Sequence, residues 1–129
     1  MSNGTYTVDT HALIWFFTND KRLSKRAGGV LDRAAAGNAR VLVSVISLTE
    51  SLRLVEKGKV RLRGELLDLI DGIEGFEIVS FDVESFEAMM RLPKTIELHD
   101  RMIAATSVRH GGPLITRDPA FGTSIRTLW

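Results

Sequence analysis

The sequence predicts an α/β fold, a mostly parallel sheet of four to five strands covered by helices on both faces. Three observations predict it. Short β-favouring runs alternate with helix-patterned stretches from one end of the chain to the other, the arrangement that builds a parallel sheet. Some of these runs, above all Arg40–Val45 (RVLVSV), are so apolar that they suit strands buried on both faces. Acids also recur where one element gives way to the next, at the carboxyl ends of the strands, where open α/β sheets carry their chemistry.

Each element has its own signal. Thr5–Asp9 is a strand of Thr, Tyr and Val, residues that suit a pleated backbone, and it ends on a carboxylate. The short helix Ala12–Thr18 follows, then the turn Asn19-Asp20. A second helix, Leu23–Ala36, is closed by Gly37-Asn38. After the strand Arg40–Val45 comes a helix over Ile46–Lys57, stopped by Gly58. A further helical stretch, Arg63–Gly72, sets Leu66, Leu67, Leu69 and Ile70 on one side. Phe76–Phe81 alternates as a strand does. Val83–Arg91 is a helix ending near Pro93, and Glu97–His110 is a helix of small and apolar residues closed by Gly111-Gly112. Its Ala104-Ala105 pair allows close approach to the sheet. Pro113–Thr116 is a short buried strand and Ile125–Leu128 an edge strand, with Trp129 packed against that edge.

The bulk numbers limit the function classes. At 129 residues the chain fits a single domain, 1–129, able to bury its own core. It has no cysteine, so disulfides, thiolate catalysis and cysteine-bound zinc are excluded, and a reducing cytoplasm suits it. The N-terminus lacks the basic and apolar regions of a signal peptide. The longest apolar run, Leu13 to Phe17, is far short of the ~20 residues that span a bilayer, so no membrane partner is expected. The 17 Lys and Arg nearly balance the 16 Asp and Glu; if several acids gather at one site, the cations dominate elsewhere.

Four acids stand out: Asp9 at the end of the first strand, Glu50 early in the helix after the second, Asp100 in the first turn of the last long helix, and Asp118 just beyond the PLIT strand. Each has an ordinary alternative. Asp9 can cap the helix after it. Ser47-Leu48-Thr49-Glu50 fits a capping box. Asp100 can complement a helix dipole, and Asp118 before Pro119 can serve a turn. Those alternatives are independent of one another, whereas one site explains all four acids together. Oxygen-only ligands favour Mg²⁺ or Mn²⁺, and clustered carboxylates repel without a cation. The chemistry such a site does best is phosphodiester hydrolysis by a metal-activated water.

The segments VDTHALIWFF, SLTESLRLVEKGKV and RLPKTIELHDRMIAATSVRHGGPLITRDPAFG closely resemble those of PIN-domain ribonucleases of the VapC-like toxin type, in order and spacing, over essentially the whole chain. The resemblance implies a PIN-like three-layer α/β/α fold. It implies that Asp9, Glu50, Asp100 and Asp118 form the acidic quartet holding Mg²⁺ or Mn²⁺. Thr116 matches the hydroxyl residue that orients a ligand or water. RNA is the implied substrate, cut to leave 5′-phosphate and 3′-hydroxyl ends. A VapB-like antitoxin and a homodimer are the implied partners. The chain departs from the pattern at one place: Glu97 stands where relatives carry an earlier Asp, and the Pro that follows it is lost, which affects the start of the helix more than its ligand.

Arg101 and Arg117 adjoin the acids and are candidates for phosphate contact, since a guanidinium fits phosphate in a bidentate way; the alternative is that they pair with the carboxylates. His11 is a candidate proton donor, against the plainer reading of a first-turn residue with a structural hydrogen bond. Lys57, Lys59, Arg61 and Arg63 form a basic run that suits an RNA backbone or a solvated face. Trp15-Phe16-Phe17 serves the core, with any exposed part available to a protein partner. Two rival functions remain at this stage. One is a receiver-like phosphoacceptor domain, which would need paired acids after the first strand, where this chain has Thr10-His11. The other is a PIN domain that binds RNA without cutting it.

Overall fold

A computed structural model describes residues 4–129; the first three, on which the expectation about a leader partly rests, lie outside the described residues. Five strands form one sheet: β1 (Thr5–Val8), β2 (Arg40–Ser44), β3 (Phe76–Val79), β4 (Leu114–Ile115) and β5 (Thr127–Leu128). Their order is β3-β2-β1-β4-β5, and every neighbouring pair is parallel. The first strand is therefore central, and it is where the strand order reverses. Parallel neighbours require crossovers, which the six helices provide: α1 (Thr10–Phe17), α2 (Lys25–Ala35), α3 (Val45–Glu56), α4 (Leu66–Asp71), α5 (Val83–Met90) and α6 (Leu98–His110).

The sheet is a middle layer between two apolar cores. On one face Val8, Val41, Val43 and Ile115 meet Leu13, Val30, Leu31 and Ile70 from α1, α2 and α4. On the other, Leu114 packs with Ile103, Ala104 and Phe121. Ala104 and Ala105 are fully buried, as a helix pressed close to a sheet requires. Gly112 turns the chain from α6 into β4 at φ +97°, and a Cβ there would overlap the Thr5 carbonyl oxygen, so only glycine fits without displacing the central strand.

The expected elements are all present, with boundaries that coincide or shift by at most three residues. α1 starts at Thr10, ahead of Ala12, because Asp9 caps it. β2 stops at Ser44 and β3 at Val79, short of Val45 and Phe81. The fourth helix is a single short piece, Leu66–Asp71. Leu67 lies outside its apolar side, 57% exposed, whereas Ile70 is buried. Trp129 follows the edge strand as expected and sets its ring 5.9 Å from that of Trp15. Phe16 and Phe17 pack on Phe76, so the aromatic block serves mainly the core. Among the described residues no helix is long and apolar enough to cross a membrane.

Candidate active site

The four acids reach one groove of about 520 Å³ from four different elements. Asp9 leaves the end of β1, whose backbone is fixed by pairing on both sides. Its Oδ1 accepts from the Ala12 amide at 2.9 Å, so it caps α1 while facing the groove. The cap and the site residue are thus the same side chain. Asp118 repeats the arrangement: its Oδ1 accepts from the Ala120 amide at 2.9 Å, starting the 3₁₀ turn Pro119–Phe121.

Glu50 is not part of a capping box. α3 begins at Val45, and its cap is Ser44, whose Oγ accepts from the Ile46 amide at 3.1 Å. Ser47 lies inside the helix with its hydroxyl buried and unpartnered among the described residues. Glu50 instead receives a 2.5 Å hydrogen bond from the Thr10 hydroxyl. Thr10 is buried at the start of α1, so it reaches across 40 positions of sequence to fix the carboxylate. Sequence reasoning passed over Thr10, because only the packing of α1 on α3 brings the two together.

Asp100 sits in the first turn of α6. Glu97 caps that helix, its Oε2 accepting from the His99 and Asp100 amides at 2.9 and 3.1 Å. Despite the lost proline the helix start is well made. Glu97 acts as a cap and is absent from the groove lining, while His99 lines the groove. Thr116 is buried; its hydroxyl accepts from the Asp118 amide at 3.1 Å, and its presence beside Asp9 favours the ionised form of that carboxyl.

The electrostatics record the crowding. Burial raises the Asp9 carboxyl above its ordinary range, and the bonds from Thr116 and the Ala12 amide oppose that rise. Asp100 is pushed up to about 6, first by burial and then by the charges of Glu97, Asp118, Glu50 and Asp9. Like charges gathered at one place disfavour ionisation, and a functional site is where such a cost is tolerated.

Among the described residues no three of these side chains draw together into a finished metal-ligand set. The donor chemistry nonetheless fits a hard cation, being oxygen throughout and charged. Of the candidate phosphate contacts, Arg117 borders a side cleft of the groove. Arg101 is absent from the groove lining, and its Nε is buried without a partner among the described residues. Arg53, Lys57 and Lys59 line the groove; the basic run flagged two of them, whereas Arg53 carried no signal in the sequence.

A parallel sheet in this order, with acids from four elements around the end of its central strand, defines a class, and the family comparison agrees. The PIN domain model matches residues 6–123, so the chain belongs to the PIN domain family. It is 26% identical over 117 residues to Ribonuclease VapC22 of Mycobacterium tuberculosis, covering 88% of this chain and 87% of that one. Among solved structures it resembles VapBC2 from Rickettsia felis bound to a promoter DNA fragment, with TM-score 0.67, 17% identity, and 93% and 92% of the two chains covered. It also resembles M. tuberculosis VapC20, described as a sarcin-ricin loop cleaving toxin, with TM-score 0.58, 16% identity, and 92% and 93% covered. A toxin–antitoxin complex from Klebsiella pneumoniae is a further match, at TM-score 0.62, 21% identity, and 88% and 87% covered.

Proposed function

We propose that this PIN domain is a Mg²⁺- or Mn²⁺-dependent endoribonuclease, acting as a cytoplasmic growth-inhibiting toxin that a VapB-like antitoxin neutralises and that pairs as a homodimer. The observation that carries the nuclease reading is the convergence of Asp9, Glu50, Asp100 and Asp118 on one groove. The toxin role is supported by the VapC22 relative and by the toxin–antitoxin complexes among the structural neighbours. The family match leaves the receiver-like alternative without support.

Asp9, Glu50, Asp100 and Asp118 would hold the cation. When bound, a hard divalent ion acidifies a coordinated water and offsets charge on the phosphate. The chain's own residues do the positioning. Thr10 fixes one Glu50 oxygen, Thr116 holds the Asp118 backbone, and Glu97 holds the first turn of α6 so that Asp100 faces the groove. Asp9 and Asp100, both with raised pKa values, would have to be ionised to hold the cation, so its affinity would fall with acid.

The test is incubation of the purified, antitoxin-free protein with RNA in Mg²⁺ or Mn²⁺ and in EDTA. Cleavage is expected only with the cation, and Asp118→Asn is expected to lower it about 100-fold or more, the scale on which lost electrostatic stabilisation shows in kcat. Cleavage that persists in EDTA overturns the mechanism. RNA binding without cleavage supports the non-cleaving alternative.

A further inference from the structure

Two smaller clefts share lining residues with the acid groove. One, of about 310 Å³, is bounded by His11, Trp15, Arg22, Lys59 and Arg61 among others. The other, of about 300 Å³, is bounded by Asp9, His11, Trp15, Arg22, Arg117 and Asp118, with Pro119. His11 borders all three spaces. Its ring is exposed and lies 5.7 Å from that of Trp15, and among the described residues it makes none of the side-chain hydrogen bonds expected of a structural first-turn residue.

The charges around these spaces are sorted. Carboxylates hold the middle. Arg53, Lys57 and Lys59 rim the main groove, and Arg61 continues the line into the first cleft. Arg22 borders both smaller clefts and Arg117 the second, and they set their guanidinium carbons 4.9 and 5.5 Å from the centre of the Trp15 ring. Asp20 already engages Arg22 in a two-pronged ion pair. If the remaining cations served only to offset the acids, they would pair with them. Among the described residues, none of Lys57, Lys59, Arg61 and Arg117 does so: the ion pairs belong to Arg22, Arg40, His99 and Arg109.

From this sorting we infer that Lys57, Lys59 and Arg61 on one side and Arg117 on the other form a two-armed track for the phosphodiester backbone of an RNA strand, with the bond to be cut lying over the carboxylates between them. The inference rests on the ribonuclease reading and adds how the substrate is held. A polyanion approaching four carboxylates is repelled unless cations flank them. Contacts to phosphates away from the reacting bond also supply the binding energy that positions it. The track therefore requires a substrate longer than a dinucleotide.

The test measures binding of a labelled single-stranded RNA of about 12 nucleotides in EDTA, by fluorescence anisotropy across a salt series, since each phosphate contact contributes about 0.7 to the log–log salt slope. Lys59→Ala/Arg61→Ala is expected to weaken binding about tenfold and to lower the slope by about 1.4, and Arg117→Ala to lower it by about 0.7. The control is Arg26→Ala/Arg126→Ala. Both residues are exposed beside the cleft at the amino end of the sheet, and this pair is expected to leave binding unchanged. An unchanged slope in Lys59→Ala/Arg61→Ala, an equal loss in the control pair, or no RNA binding by the wild type overturns the track. The two readings fail separately. Cleavage with an unaltered KM in Lys59→Ala/Arg61→Ala overturns the track and leaves the ribonuclease standing. Binding that follows the track with no cleavage in Mg²⁺ or Mn²⁺ overturns the ribonuclease and leaves the track.

Discussion

The two ends of the sheet are built to opposite rules. At the amino end the backbone closes tightly: Gly112 lies against the Thr5 carbonyl, and Gly75 lies against the Ala34 and Ala39 carbonyls. The cleft there is bordered by cations, Arg26 and Arg126, and Arg40 at the start of β2 pairs with Glu77 at 2.6 Å. At the carboxyl end four acids share a groove, and two of them have raised pKa values. One end spends its residues on holding strands together. The other keeps like charges together at a cost in stability, the usual mark of a site arranged for function and not for the fold.

That contrast can be broken from either side. The largest effect is expected at the amino end. Gly112→Ala places a methyl against the Thr5 carbonyl at a φ of +97° and should cost about 2 kcal/mol or more. Chemical denaturation checks this, and activity per folded molecule should not change. A variant that stays fully stable would show that the amino end is not tightly closed.

At the carboxyl end, Thr10→Val removes the hydrogen bond to Glu50. Groups that orient metal ligands are worth about 10- to 100-fold, so cation-dependent cleavage and Mn²⁺ affinity should both fall by about tenfold, with a stability loss of about 1 kcal/mol. Thr10→Ser should restore both. Glu50→Gln should lose cleavage while the fold survives, since α3 takes its cap from Ser44. Unfolding of Glu50→Gln with no separable catalytic loss would return Glu50 to a structural role.

The smallest effect is a pH dependence. The folded protein raises the Asp100 pKa from 3.8 to about 6. Between those values the folded state holds more protons than the unfolded one, so stability falls as pH rises through this window. Asp100→Asn should therefore raise the Tm of the cation-free protein above pH 6, and the gain should shrink as the pH falls towards 3.8 and vanish about one pH unit below it, where wild-type Asp100 is neutral in both states. Thermal melts of the two proteins across that range, in EDTA, check it. A gain that stays undiminished about one pH unit below 3.8 would place its cause elsewhere.

The sequence carried the architecture and the four acids further than it carried their support. Alternating elements located all five strands; β2 and β4 were the plainest, because burial on both faces leaves a local compositional trace, whereas β3 showed as an alternation and β5 as an edge. Asp9 and Asp118 were legible because acids at strand ends are local features. The capping box misread its helix. Ser47 and Glu50 have the right spacing, but β2 yields to α3 one residue earlier, so Ser44 takes the cap and Ser47 falls inside. Leu67 was misplaced because a helix of six residues is too short for its periodicity to fix the buried side. Thr10 was invisible for another reason: its bond to Glu50 depends on how α1 packs on α3, and no nearby residue signals that.

The central claim is that Asp9, Glu50, Asp100 and Asp118 act as one cation site. Titration of the purified protein with Mn²⁺, followed by electron paramagnetic resonance at neutral pH, tests it most directly and without any substrate. Saturable binding is expected in the wild type, weakened about tenfold or more in Asp9→Asn and in Asp118→Asn, on the scale of a lost metal-site group. Both variants should keep the wild-type circular dichroism spectrum. Mn²⁺ binding of equal affinity in the wild type and both variants would contradict the account.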